Sequence, residues 1–455
     1  MLKNLIEISN FYGNNPDYVI AGGGNTSFKT EKEIYIKASG CNLSGIDEKG
    51  FVGLERSRVR SILSQTFSSD PILRETEIKD ALLAARISGQ DGRPSVETSL
   101  HELFSARFVV HTHPYTANAL LCSQNAEKYC REIFGAEAVY IPYTDPGFLL
   151  AKKFQEEMTG YRKKYGQEPE IILLQNHGVF AGADSIEKIK EIYLRISEKI
   201  SVFFKETISS DKKNFPAMAC EIMPAIRMLM SNGPCVPVLV FRSSPLIDFF
   251  VKNSQEAGRV QFPFTPDIIV YCKTSPLFID SSDPSSFPDV FKKELERYRK
   301  LSGYDPKIIL IKGCGLIACE ENKKSADTAA EVFIDAMKIS YYSRFFGGPS
   351  FLRKKDIDFI DSWEVENYRR KISRGSSCGQ KLSGKTAIVT GAAQGFGRGI
   401  ADELFTTGAN VVIADLNMES AEKTAGEINS SRFPQRAVAV RTDVTDPASV
   451  QNLIS

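Results

Sequence analysis

The chain has 455 residues, enough for about three domains at roughly 150 residues each. Apolar residues make up 42% and charged residues 25%, the balance of an ordinary globular protein. With 57 basic against 56 acidic side chains the net charge is +1, so no global field gathers nucleic acid or an acidic membrane, and neither is expected as a partner. No apolar run approaches the roughly 18 residues of a bilayer span. The opening MLKNLIEISNFYG carries Glu7 and no small-residue cleavage site, so it does not read as a signal peptide and a cytoplasmic chain is expected. Nine Cys without a C-x-x-C pair indicate neither a disulfide framework nor a Cys zinc site. The His count is four, and all of them lie at or before His177.

Taken in chain order, the first informative run is AGGGNTSFK, residues 21–29, followed after the strand-like EIYI by KASG, residues 37–40. Glycines let backbone N–H groups approach an oxyanion, the hydroxyls and the Asn25 amide add donors, and an inward-facing Lys37 adds charge. Either run alone is more often a turn between strands, and a lysine such as Lys37 is more often solvated than bound. RPSVETSLH, residues 93–101, offers Glu97 as a metal ligand, a proton-transfer base or each in turn, with His101 one helical turn further on as a structural residue or a support behind the site, the structural role being favoured. RFVVHTHPYT, residues 107–116, is a strand ending in His111 and His113. Residues at i and i+2 of a strand emerge on one side, so the two imidazoles can share a metal. IILLQNHGV, residues 171–179, brings a third imidazole, His177, to the end of a buried strand. Three imidazoles with one coordination position open are what a catalytic zinc needs. From Asp184 to about Thr207, Ile186, Ile189, Ile192, Tyr193, Ile196 and Ile200 fall on one helical face, with Asp184 and Glu187 spaced as a capping box.

YRKKYGQEPEIILLQNHGVF (161–180) and YRKLSGYDPKIILIKGCGLI (298–317) align without a gap at an offset of 137, with 9 of 20 positions identical. Two similar α/β units therefore stand in tandem. The second has Cys314 in place of His177, so chemistry that depends on His belongs to the first. KISRGSSCGQKLSG, residues 371–384, reads as a linker. Beyond it, KTAIVT, NVVIAD and RAVAVRTDV alternate with helical stretches as β-α-β-α-β, the first half of a doubly wound fold. The glycines of VTGAAQGFGRG follow the first of these strands and suit a tight turn at a pyrophosphate. Asp415, 24 residues after Gly391, suits a ribose 2′-hydroxyl and favours NAD over NADP.

GGGNTS, KASG, PSVETSLH, VVHTHP and LLQNHGV, in that order and at those separations, resemble the class II aldolase/adducin superfamily over about residues 5–205. The resemblance implies zinc on His111, His113 and His177, phosphate binding by Gly24, Asn25, Thr26, Ser39, Gly40 and Ser95, and Glu97 as catalytic acid/base. It implies cleavage of a ketose 1-phosphate to dihydroxyacetone phosphate and an aldehyde. It also implies a homo-oligomer whose sites lie between subunits, with a proton-donating Tyr that is not assignable among the sixteen here. The superfamily includes sugar-phosphate dehydratases, 4-epimerases and non-catalytic adducins. The epimerases carry Asp at the Glu97 position and the adducins lose zinc ligands, whereas the sequence around Glu97 does not separate aldolase from dehydratase.

Residues 384–455 resemble the short-chain dehydrogenase/reductase family through Thr390, Gly391, Gly395, Gly397, Asp415 and Asp443. The family's catalytic Ser and Tyr-x-x-x-Lys lie beyond these 72 residues, so this part is expected to lack oxidoreductase activity, with NAD binding the remaining expectation. The overall arrangement resembles fused rhamnulose-1-phosphate aldolase/lactaldehyde dehydrogenase proteins, which makes L-rhamnulose 1-phosphate the first substrate expectation. The expected fold class is α/β, in four parts: an aldolase-like domain over 1–212, a degenerate copy over 213–370, a linker over 371–383, and the first half of a Rossmann domain over 384–455. The degenerate copy is expected either to supply, from within one chain, the surface that a neighbouring subunit supplies in single-copy members, or to serve only as a structural spacer.

Overall fold

The computed structural model describes residues 2–231, 236–281, 283–362, 381–382, 384–430 and 436–454, so the expected linker falls outside the described residues apart from 381 and 382. The chain is α/β throughout and divides into two compact units. The first comprises Met1–Ile208, Arg259–Thr274 and Val332–Arg370, and the second Ser209–Gly258, Ser275–Glu331 and Lys371–Ser455. The segment expected to form one domain over 213–370 is therefore shared between the units.

The first unit is built on a seven-stranded sheet. Its strands are β1 (Asn25–Lys29), β2 (Glu33–Lys37), β3 (Phe51–Glu55), β4 (Phe108–Thr112), β5 (Ala138–Ile141), β6 (Ile171–Leu174) and β7 (Gly178–Ala183), in the order β3-β2-β1-β4-β7-β6-β5. All neighbours are antiparallel except β5 and β6. β1, β4, β6 and β7 are buried along their whole length, which explains the continuous rather than alternating apolar runs of β4 and β6, while β1 buries the polar side chains of Asn25, Thr26, Ser27 and Lys29.

The amphipathic stretch after β7 forms the helix Ile186–Ser201 and buries the six side chains its periodicity selects. At about 1.5–3 kcal/mol per fully buried side chain, that stripe contributes on the order of 10 kcal/mol before ordering entropy is subtracted. The Tyr193 hydroxyl lies 3.0 Å from the Val110 carbonyl of β4 and 3.1 Å from the Val179 carbonyl of β7, docking the helix on the two central strands. The cap differs from the expected box. Ser185 accepts the Lys188 N–H, while the Asp184 carboxylate turns outward to accept the Arg107 N–H. Serine at this position satisfies an orphan helix donor by itself and releases Asp184 to brace a loop.

The second unit holds β8 (Val238–Arg242), β9 (Leu277–Ile279), β10 (Ile308–Ile311) and β11 (Gly315–Glu320) in the order β8-β11-β10-β9. Its pairings repeat those of β4-β7-β6-β5, two antiparallel and one parallel. The offset of 137 carries β6 onto β10 and β7 onto β11 residue for residue. It also carries the left-handed helix-ending Gly166 onto Gly303. β1, β2 and β3 have no counterpart among the described residues of this sheet.

Residues 386–441 supply β12 (Thr386–Thr390), β13 (Asn410–Asp415) and β14 (Ala437–Arg441), a parallel sheet in the order β12-β13-β14. Helices Gly395–Thr406 and Met418–Asn429 make the crossovers. This is the β-α-β-α-β pattern read from the sequence.

Candidate functional site

Short local reasons place each of the four converging side chains. β4 runs through the middle of the sheet between β1 and β7 and delivers His111 at its end and His113 just past it. β6 and β7 form a tight hairpin whose turn contains Asn176, in the left-handed region at φ 56°, and His177. Asn adopts this region more readily than other non-glycine residues. Gly178 then lets the hairpin close. A Cβ there would lie 2.6 Å from both the Thr112 carbonyl and the His113 ring.

Glu97 stands at the N-terminal boundary of the helix Thr98–Leu103, and its side chain makes no capping bond. That helix is clamped by Glu102, which is buried between Arg56 at 2.9 Å and Arg60 at 2.7 Å. Glu97 is thus itself buried rather than a solvated helix-terminal carboxylate.

The three imidazoles present metal-ligating atoms that all lie within 4.8 Å of one another. His111 Nε2 and His113 Nε2 are 3.0 Å apart, and Glu97 Oε1 lies 3.5 Å from His111 Nε2 and 3.3 Å from His177 Nε2. The other ring nitrogens of the H-x-H pair face acceptors: His111 Nδ1 lies 2.9 Å from the Val179 carbonyl and His113 Nδ1 2.8 Å from Asp267 Oδ2. In the neutral form each ring therefore carries its proton on Nδ1 and turns its Nε2 lone pair inward. Burial holds His111 well below the usual histidine pKa, which keeps it neutral. Its ring stacks on Phe180 at a centroid distance of 4.0 Å. Two lone pairs and a carboxylate oxygen facing one another without a proton repel, and a divalent cation would relieve that repulsion. Tetrahedral ligands at about 2.0–2.1 Å from zinc stand about 3.3 Å from each other. The donor set therefore fits zinc.

The expected phosphate-binding residues divide. Ser39 N–H donates to the Arg93 carbonyl at 2.7 Å and Ala38 bridges Pro94, so the KASG turn, with Gly40 at φ 91°, lies against the loop carrying Ser95. The Ser95 hydroxyl accepts the Glu97 N–H at 3.2 Å. Gly24 has φ 69° and leaves only 2.9 Å between a would-be Cβ and the His111 carbonyl. Asn25 Nδ2 donates to Glu97 Oε2. Thr26 departs from expectation. Its hydroxyl lies 2.7 Å from Ser9 Oγ, because alternation on β1 sends Asn25 and Ser27 to one face and Thr26 to the other. Lys37 is buried, and its ammonium ties the Gly22 and Cys41 carbonyls together at 3.0 and 2.9 Å. It thereby shapes the glycine loop. His101 is structural, as its position suggested: Nδ1 meets Ser27 Oγ at 2.8 Å, and burial lowers its pKa to about 3.

Several residues at this site were not singled out from the sequence. Asp267, Tyr271 and Asp335 all lie far along the chain. The Gly22 N–H donates to Tyr271 Oη at 3.2 Å. Asp335 shares a small cavity with His113, Asn118 and Asp267, and burial pushes its carboxyl up to about 7. Asn176 donates to the Phe264 and Ser350 carbonyls at 2.9 and 2.8 Å.

Residues 4–200 match the family described as Class II Aldolase and Adducin N-terminal domain, and residues 217–369 match the second domain of class II aldolases. Residues 385–455 match short chain dehydrogenase. The chain joins class II aldolase domains to a short-chain dehydrogenase segment. It is 26% identical over 494 residues to the uncharacterized oxidoreductase YuxG of Bacillus subtilis (strain 168), an alignment covering 99% of this chain and 69% of that protein. It is 44% identical over 75 residues to a sorbitol dehydrogenase of Cereibacter sphaeroides, covering 16% of this chain and 27% of that enzyme. The chain thus spans about a quarter of that dehydrogenase. Among solved structures, the N-terminal class II aldolase domain of a conserved protein from Thermoplasma acidophilum is 26% identical, covers 44% of this chain and 92% of its own, and has a TM-score of 0.39.

The dehydrogenase segment has its glycine turn in place. Gly391 and Gly395 have φ of 63° and 60°, and a Cβ at Gly397 would lie 2.2 Å from the Gly391 carbonyl. The Asp415 carboxylate accepts the Ala393 and Asn417 N–H groups, each at 3.0 Å, which leaves lone pairs on both oxygens. Thr390 ends β12 exposed at this turn. Asp443 accepts the Thr445 N–H and hydroxyl at 2.9 and 2.7 Å, bonds that hold its carboxyl below the usual range and stabilise the turn after β14. Among the described residues no helix is long and apolar enough to cross a membrane.

Proposed function

We propose that the aldolase part of this chain is a zinc-dependent lyase that cleaves a ketose 1-phosphate, with L-rhamnulose 1-phosphate as the first candidate, into dihydroxyacetone phosphate and an aldehyde. The observation that carries the reading is the convergence of the His111, His113 and His177 imidazoles with the Glu97 carboxylate at 3.3–3.5 Å from two of them. Zinc held by the three imidazoles supplies a Lewis acid that stabilises negative charge on substrate oxygens.

The chain's own groups do the rest. Ser39, Gly40 and Ser95, brought together by the Ala38–Pro94 bridge, and the backbone at Gly24 hold the phosphate. Asn25 orients Glu97. The C4 hydroxyl gives up its proton to the Glu97 carboxylate as its oxygen becomes the aldehyde carbonyl, and the C3–C4 bond breaks with its electron pair left on C3 of the phosphate-bearing half. Glu97 delivers the proton that completes dihydroxyacetone phosphate, and the buried site limits competing protonation by water.

The Asp415 carboxylate beside the glycine turn favours NAD over NADP for the dehydrogenase segment, and an aldehyde released by cleavage is a carbonyl compound that a complete domain of this family could act on. Hydride transfer itself is assigned to none of the residues here. We assign the protein to the cytoplasm and to a homo-oligomer, on the resemblance and on the absence of a membrane-crossing helix among the described residues.

The test is release of dihydroxyacetone phosphate from a panel of ketose 1-phosphates by the zinc-loaded chain, before and after chelation. Chelator-sensitive release is expected, and Glu97→Gln should retain zinc while turnover falls by about 10²- to 10⁴-fold. No release from any sugar with stoichiometric zinc would move the assignment to dehydration or epimerisation on the same scaffold.

A further inference from the structure

His111 receives its Nδ1 acceptor from a main-chain carbonyl of the adjacent strand, so its orientation is set by the sheet itself. His113 has stepped off the end of β4 and has no such neighbour in register. Its Nδ1 instead meets Asp267 Oδ2 at 2.8 Å, with both side chains only 16% exposed.

Asp267 belongs to the short helix Pro266–Cys272, which lies within the second aldolase domain by sequence and within the first compact unit by structure. That helix is held from several sides. Ile269 is fully buried with Leu352, Ile357 and Ile360. Tyr271 Oη accepts the Gly22 N–H, and Lys273 pairs with Asp361 at 3.1 Å. Asn176, in the same hairpin turn as His177, grips the Phe264 carbonyl just ahead of the helix. Gly23 leaves the room: a Cβ there would lie 3.1 Å from Asp267 Oδ2 and 3.3 Å from His113 Nδ1.

A carboxylate on the far nitrogen of a metal-ligating imidazole fixes its tautomer and ring orientation and raises its basicity. A constellation is only as well placed as the groups that support it. We infer that Asp267 is a positioning residue for the metal: its carboxylate holds His113 with Nε2 directed at His111 and His177. The metal centre of the first aldolase domain is thereby completed by the second domain of the same chain. The inference rests on the reading of the three imidazoles as a zinc site.

The test measures zinc affinity of the full chain by competition with a chromophoric chelator, and the visible spectrum of the cobalt(II)-loaded protein. Four proteins are compared: wild type, Asp267→Ala, the isosteric Asp267→Asn, and Asp17→Asn. The last removes the 3.0 Å Asp17–Lys338 ion pair, which ties the same two parts of the chain without touching an imidazole.

Asp267→Ala should weaken zinc by about 10- to 100-fold and alter the cobalt bands. Asp267→Asn, which keeps an acceptor but loses the charge, should fall between it and wild type, and Asp17→Asn should change affinity less than twofold. Wild-type affinity in Asp267→Ala, or equal weakening in Asp17→Asn, overturns the inference while leaving the zinc site intact. A wild-type chain that takes up no zinc overturns the metal reading itself, and the inference with it.

Discussion

The strand quartet β4-β7-β6-β5 and its repeat β8-β11-β10-β9 share order and direction, yet among the described residues only the first carries the cluster of three histidines. Strand pairing shows what was exchanged. His111 stands opposite Phe180 on β7, and the corresponding pair in the repeat is Phe241 opposite Ile317. By the same register His113 becomes Ser243, and His177 becomes Cys314. Phe241 joins the apolar core of its sheet. Burial pushes the Cys314 thiol up to about 11, so it stays protonated and ligates poorly. The glycine beside the third ligand survives in both copies. A Cβ at Gly315 would lie 2.6 Å from the Arg242 carbonyl, as one at Gly178 would from the Thr112 carbonyl. The close approach of the neighbouring strand explains glycine at both positions, whereas the histidine cluster belongs to the first copy alone. A shared strand framework thus does not require shared site residues.

The sharpest way to break the contrast is to make the first copy resemble the second at one atom. His177→Cys should cut bound zinc to well below one equivalent at neutral pH and lower product release by about a thousandfold, read by metal analysis and the cleavage assay. Retained turnover would show that a cysteine thiolate can replace the third imidazole or that two imidazoles suffice.

The paired glycines predict a smaller, symmetric effect. Gly178→Ala and Gly315→Ala should each cost ~2 kcal/mol of stability by denaturant unfolding, since a backbone carbonyl cannot yield as a side chain can. Gly178→Ala alone should also weaken zinc. A harmless Gly315→Ala would mean the repeat keeps its glycine for another reason.

A third contrast is a difference in acid sensitivity. All four histidines lie in the first unit, and His101 titrates at about 3 when folded against 6.5 when unfolded. Between those values the unfolded chain takes up a proton that the folded chain refuses. The first unit therefore loses stability as pH falls through 6.5, by at most about 1.4 kcal/mol per pH unit for this group, with the loss complete near pH 3. His101→Phe in the metal-free protein should flatten that slope, followed by hydrogen exchange of the helix Thr98–Leu103. An unchanged slope would assign the acid response to other groups.

Much of this was legible in the chain itself. Continuous apolar runs marked β4, β6 and β10, a 3.6-residue period marked a helix from Asp184 to about Thr207, of which Ile186–Ser201 is helical, and spacing set His111, His113, His177 and Glu97 apart as a group. The repeat also held a clue to Asn176. It aligns with Gly313, and both adopt left-handed backbone, at φ 56° and 66°. An Asn kept where glycine is easier signals that its amide is in use. No comparable mark singles out Asp267, which in the sequence opens an ordinary buried helix, TPDIIVYC. Nor does the sequence show that Ser185 displaces Asp184 as the helix cap, that Thr26 faces Ser9, or that residues 259–274 and 332–362 belong to the first unit.

The division has a physical cause. Periodicity, turn chemistry and the residue types that bind metal are local properties, written within a few residues of where they act. The meeting of His113 with a carboxylate 154 positions away is decided by the packing of Ile269 against Leu352, Ile357 and Ile360, and by the room left at Gly23. Such contacts follow from how apolar faces cover one another in three dimensions, which only the tertiary structure decides.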